Sequence, residues 1–186
     1  MLSAIVMILA GFVVIGLIIV ANAYFVAQEF SFMSVDRTQL RTQAAEGDKT
    51  AQRALAITQQ TSFMLSGAQL GITITGLLIG YVAEPLVGQG LGTLLGGVGV
   101  PSAVSVTVGT IAALFISTIA TMLFAELFPK NYTIAAPMKT ARWLATSTQI
   151  YLRIFGWLIH FFEYSSNAIL KVFGLSLIHI SEPTRL

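Results

Sequence analysis

Long apolar runs separated by short polar stretches organise this chain. Residues 2–33 are almost entirely apolar through their first two thirds, and polar side chains enter only near the end. Two further apolar runs cover residues 62–83 and 102–128. Each run has about 20 residues or more, the length that an α-helix needs to cross the hydrocarbon core of a bilayer. The pattern therefore predicts an all-α integral membrane protein with three transmembrane helices.

The segments between these helices predict how the spans are connected. Residues 36–60 alternate charged side chains with Ala and Leu, which predicts a helix on the membrane surface that is interrupted near Gly47. Helix two is expected to end at Pro85, because the residue before a proline disfavours the helical region, and a glycine-rich loop should follow up to residue 101. Helix three is expected to end at Pro129 for the same reason.

A fourth apolar segment, residues 138–173, mixes aromatic with basic side chains, including Trp143 and Lys139. This mixture is typical of a helix that lies along the membrane interface rather than one that crosses it. Basic residues also predict the orientation, since they are frequent in residues 36–60 and after helix three but absent between helices two and three. The positive-inside rule then predicts a multi-pass protein of the cell membrane with its N-terminus outside and its C-terminus in the cytoplasm.

Composition narrows the function classes. Hydrophobic residues make up 55% of the chain and charged residues 10%, against about 25% charged residues in soluble domains. A net charge of +2 gives nucleic-acid binding no electrostatic basis. The absence of cysteine excludes disulfides and thiolate chemistry, and two histidines argue against a histidine zinc site. No spacing typical of a catalytic motif occurs, so we expect a protein that is not an enzyme.

Polar residues inside the predicted spans are informative, because each ionisable group costs about 2.5–3.5 kcal/mol or more near a helix centre. On helix one, Asn22, Val26 and Glu29 follow the i, i+4, i+7 spacing of one helix face. Glu29 lies nearer the cytoplasmic end, where an interfacial ion pair with Arg37 or Arg41 is the alternative to a functional role. Asn22 and Glu29 are therefore the first candidates for a site.

Helix two carries a polar stripe at the same kind of spacing. Its members are Ser62, Ser66, Gln69 and Thr73. Gly67 and Gly71 lie near this stripe, and glycines permit close backbone approach and local unwinding that exposes carbonyl oxygens. Helix–helix packing alone is the alternative explanation for such small and hydroxyl-bearing residues.

Helix three adds a carboxylate close to a proline. Ser117 and Thr121 share a face, and Glu126 lies one turn further on. Pro129 has no N–H to donate to the carbonyl of Ala125. Carboxylate, amide, hydroxyl and carbonyl oxygens together suit magnesium, calcium or sodium. The three helices therefore predict an oxygen-ligand cation site within the bilayer.

The same residues carry a resemblance to the transmembrane domain of the CNNM/CorC family, which includes haemolysin-like and cobalt-resistance proteins. Four motifs match in order across residues 1–174, namely Asn-Ala-Tyr-Phe-Val-Ala-Gln-Glu-Phe from Asn22, Ser-Gly-Ala-Gln-Leu-Gly-Ile-Thr from Ser66, Glu84-Pro85, and Glu-Leu-Phe-Pro-Lys-Asn from Glu126. The resemblance implies a juxtamembrane belt helix beside the three spans and a homodimer. It also implies magnesium transport, with efflux as the expected direction and sodium as a candidate coupling ion.

The resemblance further implies which residues hold the cation. Carried over by motif, the magnesium ligands are Asn22, Val26, Ser66, Gly67 and Glu126, with Val26 and Gly67 contributing backbone carbonyls only. Some relatives have serines at the positions of Asn22 and Val26. The other residues singled out on the three helices are candidates for an additional site or for gating. They are Glu29, Ser62, Gln69, Gly71, Thr73, Thr121, Ala125 and Pro129.

Relatives of this family continue into a cytosolic pair of CBS domains that binds nucleotide, and no such pair occurs in this chain. Residues 175–185 read as the translation of a common transposon-end sequencing adapter, so we expect residues 175–186 to be a non-native tail in which His179 and Glu182 have no function. Nucleotide is then a partner only of the missing domains. A membrane anchor or cation sensor that moves no ion is the alternative function.

Overall fold

The computed structural model of the chain describes residues 2–97 and 99–172, so the tail predicted at residues 175–186 lies outside the described residues. The regular elements of the described part are helical. In chain order they are α1 (Leu2–Ser34), α2 (Arg37–Ala45), α3 (Lys49–Gln59), α4 (Thr61–Val82), the π-helical segment π1 (Ala83–Gly88), α5 (Gln89–Gly97), α6 (Ser102–Ala120), the π-helical segment π2 (Thr121–Leu127), α7 (Phe128–Ala135), α8 (Pro137–Ile154) and α9 (Gly156–Val172).

Three of the helical stretches are long and apolar enough to cross a membrane: Leu2–Ser34, Thr61–Gly97 and Ala103–Ala135. Large apolar side chains of the spans point outward. The exposed fractions of Leu17, Leu77 and Phe115, for example, are 67%, 71% and 66%. Only lipid or another protein surface can cover so much apolar area. The prediction of an all-α integral membrane protein with three spans is confirmed.

The predicted end of helix two is wrong. The helix does not stop at Pro85 but passes through π1 and continues as α5 to Gly97. A π-helical turn pairs residues i and i+5, which shifts the hydrogen-bond register where the proline lacks its N–H. Helix three likewise continues past Pro129, through α7 to Ala135.

The glycines that predicted a loop at residues 85–101 serve instead as points of close helix contact. An ideal Cβ on Gly109 of α6 would lie 2.4 Å from the carbonyl oxygen of Gly88. An ideal Cβ on Gly90 would lie 2.5 Å from Cγ1 of Ile8 on α1. Because no real Cβ fits at these distances, the backbones of α5, α6 and α1 approach one another only through glycine.

The predicted interruption of the 36–60 segment is confirmed. Helices α2 and α3 are separated by a turn at Gly47, whose φ of +93° favours glycine. The Asp48 carboxylate then caps α3 by accepting hydrogen bonds from the N–H groups of Thr50 at 2.8 Å and Ala51 at 3.1 Å. It also pairs with Arg142 of α8.

The fourth apolar segment forms the predicted juxtamembrane belt. It consists of α8 and α9, which meet at Phe155, and α8 packs against α3 and α1 while α9 packs against α4. The buried cluster that joins them to the bundle includes Phe32, Met64, Leu144 and Ile159. The belt is therefore packed against the first two spans and against α3, which leads into the second span.

Candidate metal centre

The crossing of α1 and α4 buries an amide side chain without satisfying it. Asn22 is 2% exposed, and its Nδ2 donates to the carbonyl oxygen of Ile72 at 3.3 Å. Its Oδ1 is buried and has no hydrogen-bond partner in the described structure. Buried acceptors are usually paired, so this oxygen has free capacity to accept a hydrogen bond or to bind a cation.

Backbone carbonyls of α4 lie beside this amide. The hydroxyl of Thr75, which is 7% exposed, donates to the carbonyl oxygens of Gly71 at 2.7 Å and Ile72 at 3.1 Å. Gly71 lets α1 come this close, because an ideal Cβ there would lie 2.4 Å from the ring of Phe25. The crossing therefore concentrates amide, hydroxyl and carbonyl oxygens in one buried place.

A cavity of about 360 Å³ between α4, α6 and π2 brings the carboxylate of Glu126 to the same part of α4. Its lining on α4 consists of Gly76, Ile79 and Gly80. An ideal Cβ on Gly76 would lie 4.0 Å from Nδ2 of Asn22, so this glycine borders both the amide and the cavity. Gly76 thus lies near Asn22 and also lines the cavity that the exposed side chain of Glu126 lines from π2.

The rest of the cavity lining on α6 and π2 offers neutral oxygens. Ser117, Thr118 and Thr121 line the cavity, and each hydroxyl donates to a carbonyl four residues earlier, at 2.6, 2.7 and 2.7 Å. A hydroxyl that donates its proton still has lone pairs with which it can bind a cation. These side chains therefore remain available as ligands or as hydrogen-bond acceptors.

Glu126 lies in π2, three residues before the buried Pro129. Proline has no N–H, so the carbonyl of Ala125 loses the donor that a regular helix would provide. The N–H of Phe128 bonds the carbonyl of Leu123, five residues earlier, as a π-helical turn requires. Short π-helical turns inside α-helices are frequent at functional sites, and this one carries the only carboxylate among the described residues that line the cavity.

Ser66 and Gly67 lie away from Asn22, on other sides of α4. Ser66 lines a second cavity, of about 450 Å³, together with Gln69, Thr73 and side chains of α9. The carbonyl of Gly67 accepts a hydrogen bond from the hydroxyl of Tyr151 at 2.9 Å. Burial raises the pKa of Tyr151, which keeps this hydroxyl a donor.

The remaining predicted residues have partners within the helix bundle. The carboxylate of Glu29 accepts a hydrogen bond from Nε2 of Gln69 at 2.9 Å rather than pairing with Arg37, whose guanidinium donates to Thr61. The hydroxyl of Ser62 donates to the carboxylate of Glu163 on α9 at 2.8 Å. Val26 is 5% exposed and lies one turn below Asn22 on α1. The five-residue ligand set stays a prediction.

Sequence reasoning did not single out two buried polar residues. Thr75 donates to the carbonyls of Gly71 and Ile72 beside Asn22. Its spacing of four residues from Gly71 is the sequence feature that could have identified it. Gln28 is fully buried on α1, and neither its Oε1 nor its Nε2 has a hydrogen-bond partner in the described structure. Gln28 points to a different face of α1 from Asn22, since six residues correspond to a rotation of roughly 240°.

The chemistry of the site is that of a hard cation. Within residues 2–97 and 99–172, no group of three or more His, Cys, Asp or Glu side chains lies close enough to hold a metal ion. A cation bound here would therefore rely on one carboxylate, on amide and hydroxyl oxygens, and on backbone carbonyls. Magnesium, calcium and sodium accept such ligands, whereas softer metals prefer nitrogen and sulfur.

Comparison with known proteins agrees with a transmembrane domain. The family described as the cyclin M transmembrane N-terminal domain matches residues 12–185. Protein Rv1841c of Mycobacterium tuberculosis is 36% identical over 161 residues, which are 86% of this chain and 45% of that protein. The UPF0053 proteins MT1890 of M. tuberculosis and YhdT of Bacillus subtilis are 37% and 29% identical, over 81% and 88% of this chain. The chain spans 33–45% of the length of these three relatives.

Proposed function

Because this chain belongs to the cyclin M transmembrane-domain family, we propose that it is the membrane domain of a divalent-cation transporter with magnesium as its substrate. The cation site lies between α1, α4 and π2, with Asn22 and Glu126 as its principal side chains. Efflux is the proposed direction, and sodium is the proposed coupling ion.

The buried Oδ1 of Asn22 is the observation that carries this proposal. It has no hydrogen-bond partner in the described structure, although it lies within the first span, about two thirds of the way along α1. An unsatisfied buried acceptor costs about 1–3 kcal/mol. A cation that binds this oxygen removes the penalty. The free energy recovered in this way adds to the affinity of the site for the cation.

Glu126 supplies the charge that a dication requires in a medium of low dielectric constant. A dehydrated cation loses its hydration energy, and a carboxylate within the cavity offsets much of that loss. The hydroxyl oxygens of Ser117 and Thr121 and the α4 carbonyls near Gly71 are the neutral ligands that complete the coordination. Val26, Ser66 and Gly67 join the site only if α4 or π2 changes its conformation, as alternating access requires.

The proposed topology follows from the basic residues. The N-terminus lies outside, and α2, α3 and the start of α8 lie at the cytoplasmic face. The proposed assembly is a homodimer, in which the outward apolar side chains of the spans are divided between lipid and the second copy. Nucleotide binding is proposed only for cytosolic CBS domains of longer relatives.

Flux measurements separate transport from the alternative role of an anchor or sensor. The wild-type chain is reconstituted into liposomes that contain a magnesium-sensitive dye, and a sodium gradient is applied in either direction. We expect saturable magnesium movement that Glu126→Gln abolishes and Glu46→Gln, a loss of the same charge in the exposed α2–α3 turn, preserves. Magnesium binding without any movement would support the sensor and contradict transport.

A further inference from the structure

The junction of α7 and α8 forms a small cavity at the end of the third span. The cavity has a volume of about 340 Å³ and is lined by Tyr132, Lys139, Thr140 and Trp143. Tyr132 belongs to the last turns of the span that ends at Ala135, so the cavity lies where the hydrocarbon core gives way to the headgroups. Nothing in the cation site described above uses these side chains.

Two of the lining residues are large aromatics that stay exposed. Trp143 is 78% exposed and Tyr132 is 47% exposed, although both have a polar atom that can donate a hydrogen bond. Trp and Tyr prefer the membrane interface, where the ring contacts acyl chains and the polar atom contacts headgroups. These two exposed rings are therefore expected to contact the lipids of the bilayer rather than water.

The charge around the cavity is positive and unbalanced. From Leu127 to Phe162 the sequence has no Asp or Glu, but it has Lys130, Lys139, Arg142 and Arg153. Arg142 is neutralised by Asp48, whereas Lys139 has no ion-pair partner within residues 2–97 and 99–172. Lys130 lies 4.9 Å above the ring of Phe30 on α1, which holds a second positive charge on α7, two residues before Tyr132.

From these observations we propose that the α7–α8 cavity binds the headgroup of an anionic phospholipid. Lys139 pairs with the phosphate, the hydroxyl of Tyr132 donates to it, and the ring of Trp143 covers the upper part of the acyl chains. A second copy of the chain is a poor occupant, because it would bring its own lysines against these. The bound lipid would brace the third span, including π2, against the belt helix α8.

Quenching of Trp143 by brominated lipids tests this proposal directly. The chain has two tryptophans, so Trp157→Phe leaves Trp143 as the sole reporter. The variant is reconstituted into phosphatidylcholine bilayers with increasing amounts of brominated phosphatidylglycerol or of brominated phosphatidylcholine. We expect an association constant about fivefold higher for phosphatidylglycerol, the preference that one lysine near an anionic surface gives.

Two charge variants decide whether the cavity is responsible. Lys139→Gln should reduce the preference to about one, whereas Arg153→Gln, which removes the same charge at the other end of α8, should leave it unchanged. Equal quenching by both lipids, or a preference that survives Lys139→Gln, would overturn the proposal. Relief of quenching by millimolar inorganic phosphate would overturn it too, because the occupant would then be a soluble anion.

A second readout covers the case in which the tryptophan variant does not fold. Native mass spectrometry of the otherwise unmodified chain counts the phosphatidylglycerol molecules that remain bound after detergent removal. We expect one fewer retained lipid for Lys139→Gln than for the wild type, and no change for Arg153→Gln. The same number of retained lipids in all three proteins would contradict the proposal.

Discussion

At Asn22 the stability of the cation-free protein conflicts with cation binding. The residue is expected to lower that stability at the place where the cation is proposed to bind. Its Nδ2 bonds the carbonyl of Ile72, but that carbonyl already accepts the hydroxyl of Thr75. Its Oδ1 is buried and unpaired. A residue retained at such a cost is expected to be functional rather than structural.

The substitution Asn22→Leu separates these two roles. It removes one interhelical hydrogen bond, worth about 0.6 kcal/mol in membrane proteins, together with a buried unpaired oxygen that costs about 1–3 kcal/mol. We therefore expect a thermal midpoint in detergent equal to or above that of the wild type, and magnesium affinity weaker by about tenfold or more. A lower midpoint with unchanged affinity would mean that Asn22 only holds α1 against α4.

Gly71 is predicted to be essential for the approach of α1 to α4. An ideal Cβ at this position would lie 2.4 Å from the ring of Phe25, so Gly71→Ala should destabilise the fold by about 1–3 kcal/mol through overpacking. Gly16→Ala is the matched control, since nothing lies within 4 Å of its ideal Cβ. Equal thermal midpoints for the two variants would show that the helices separate at no cost.

At the scale of the elements, the three spans could be predicted from the sequence because lipid exposure requires long apolar runs whatever the packing. The ends of helices two and three could not, because Pro85 and Pro129 are accommodated by continuing helices, through π1 at Pro85 and beyond π2 at Pro129. A proline removes one donor, but a shift of register restores pairing around it. The rule that a proline ends a helix therefore failed at Pro85 and Pro129, where helical segments on both sides of the proline pack in the bundle.

The candidate site shows the same limit. The face of α1 that carries Asn22 and Val26 could be predicted from spacing alone. The face of α4 could not, because Gly71 packs against Phe25 of α1, whereas Ser66, Gln69 and Thr73 of the more polar stripe line a cavity with α9, although Gln69 also bonds Glu29 of α1. Small residues decide which face of a membrane helix packs, and only the assembled helices show which of two candidate faces that is.

The cap of α3 makes a prediction about pH. The hydrogen bond from the N–H of Ala51 is the largest cause that lowers the pKa of Asp48 below its ordinary 3.8, and the Arg142 guanidinium acts in the same direction. A lowered pKa means that the stabilisation is fully present above the ordinary value of 3.8 and is lost as the pH falls from there through the lowered pKa of the folded state. Between neutral pH and the ordinary value, this contribution should be constant.

Substitutions at Asp48 check this account by thermal unfolding in detergent at neutral and acidic pH. Asp48→Ala loses both the cap and the ion pair and should lower the midpoint at neutral pH, whereas Asp48→Asn keeps the cap and should lower it less. The difference between the wild type and Asp48→Ala should shrink in acid below the pKa. A difference that grows in acid would contradict the assigned sign.

At the scale of the whole molecule, the orientation can be tested without background because the chain has no cysteine. Single cysteines are introduced at Glu46, in the α2–α3 turn, and at Val100, between α5 and α6. In intact cells a membrane-impermeant thiol reagent should label Val100→Cys and should label Glu46→Cys only after lysis. Labelling of Glu46→Cys in intact cells would reverse the proposed topology.

The proposed cation site lies between the three spans, so its occupancy should affect the whole molecule. Bound magnesium links α1, α4 and π2 and binds only the folded state, so it should raise the thermal midpoint with a dependence on concentration. Glu126→Gln should lose most of this shift, while Glu46→Gln should keep it. A wild-type midpoint that does not respond to magnesium would argue against a site shared by the spans.

Magnesium titration of purified wild-type chain and of Glu126→Gln by calorimetry tests the central claim most directly. Among the described residues that line the cavity, Glu126 provides the only carboxylate, and without it a dication would be held by neutral oxygens. The account predicts saturable binding to the wild type and at least about a tenfold loss of affinity in the variant. Equal affinity in the two proteins would contradict an intramembrane cation site at this position.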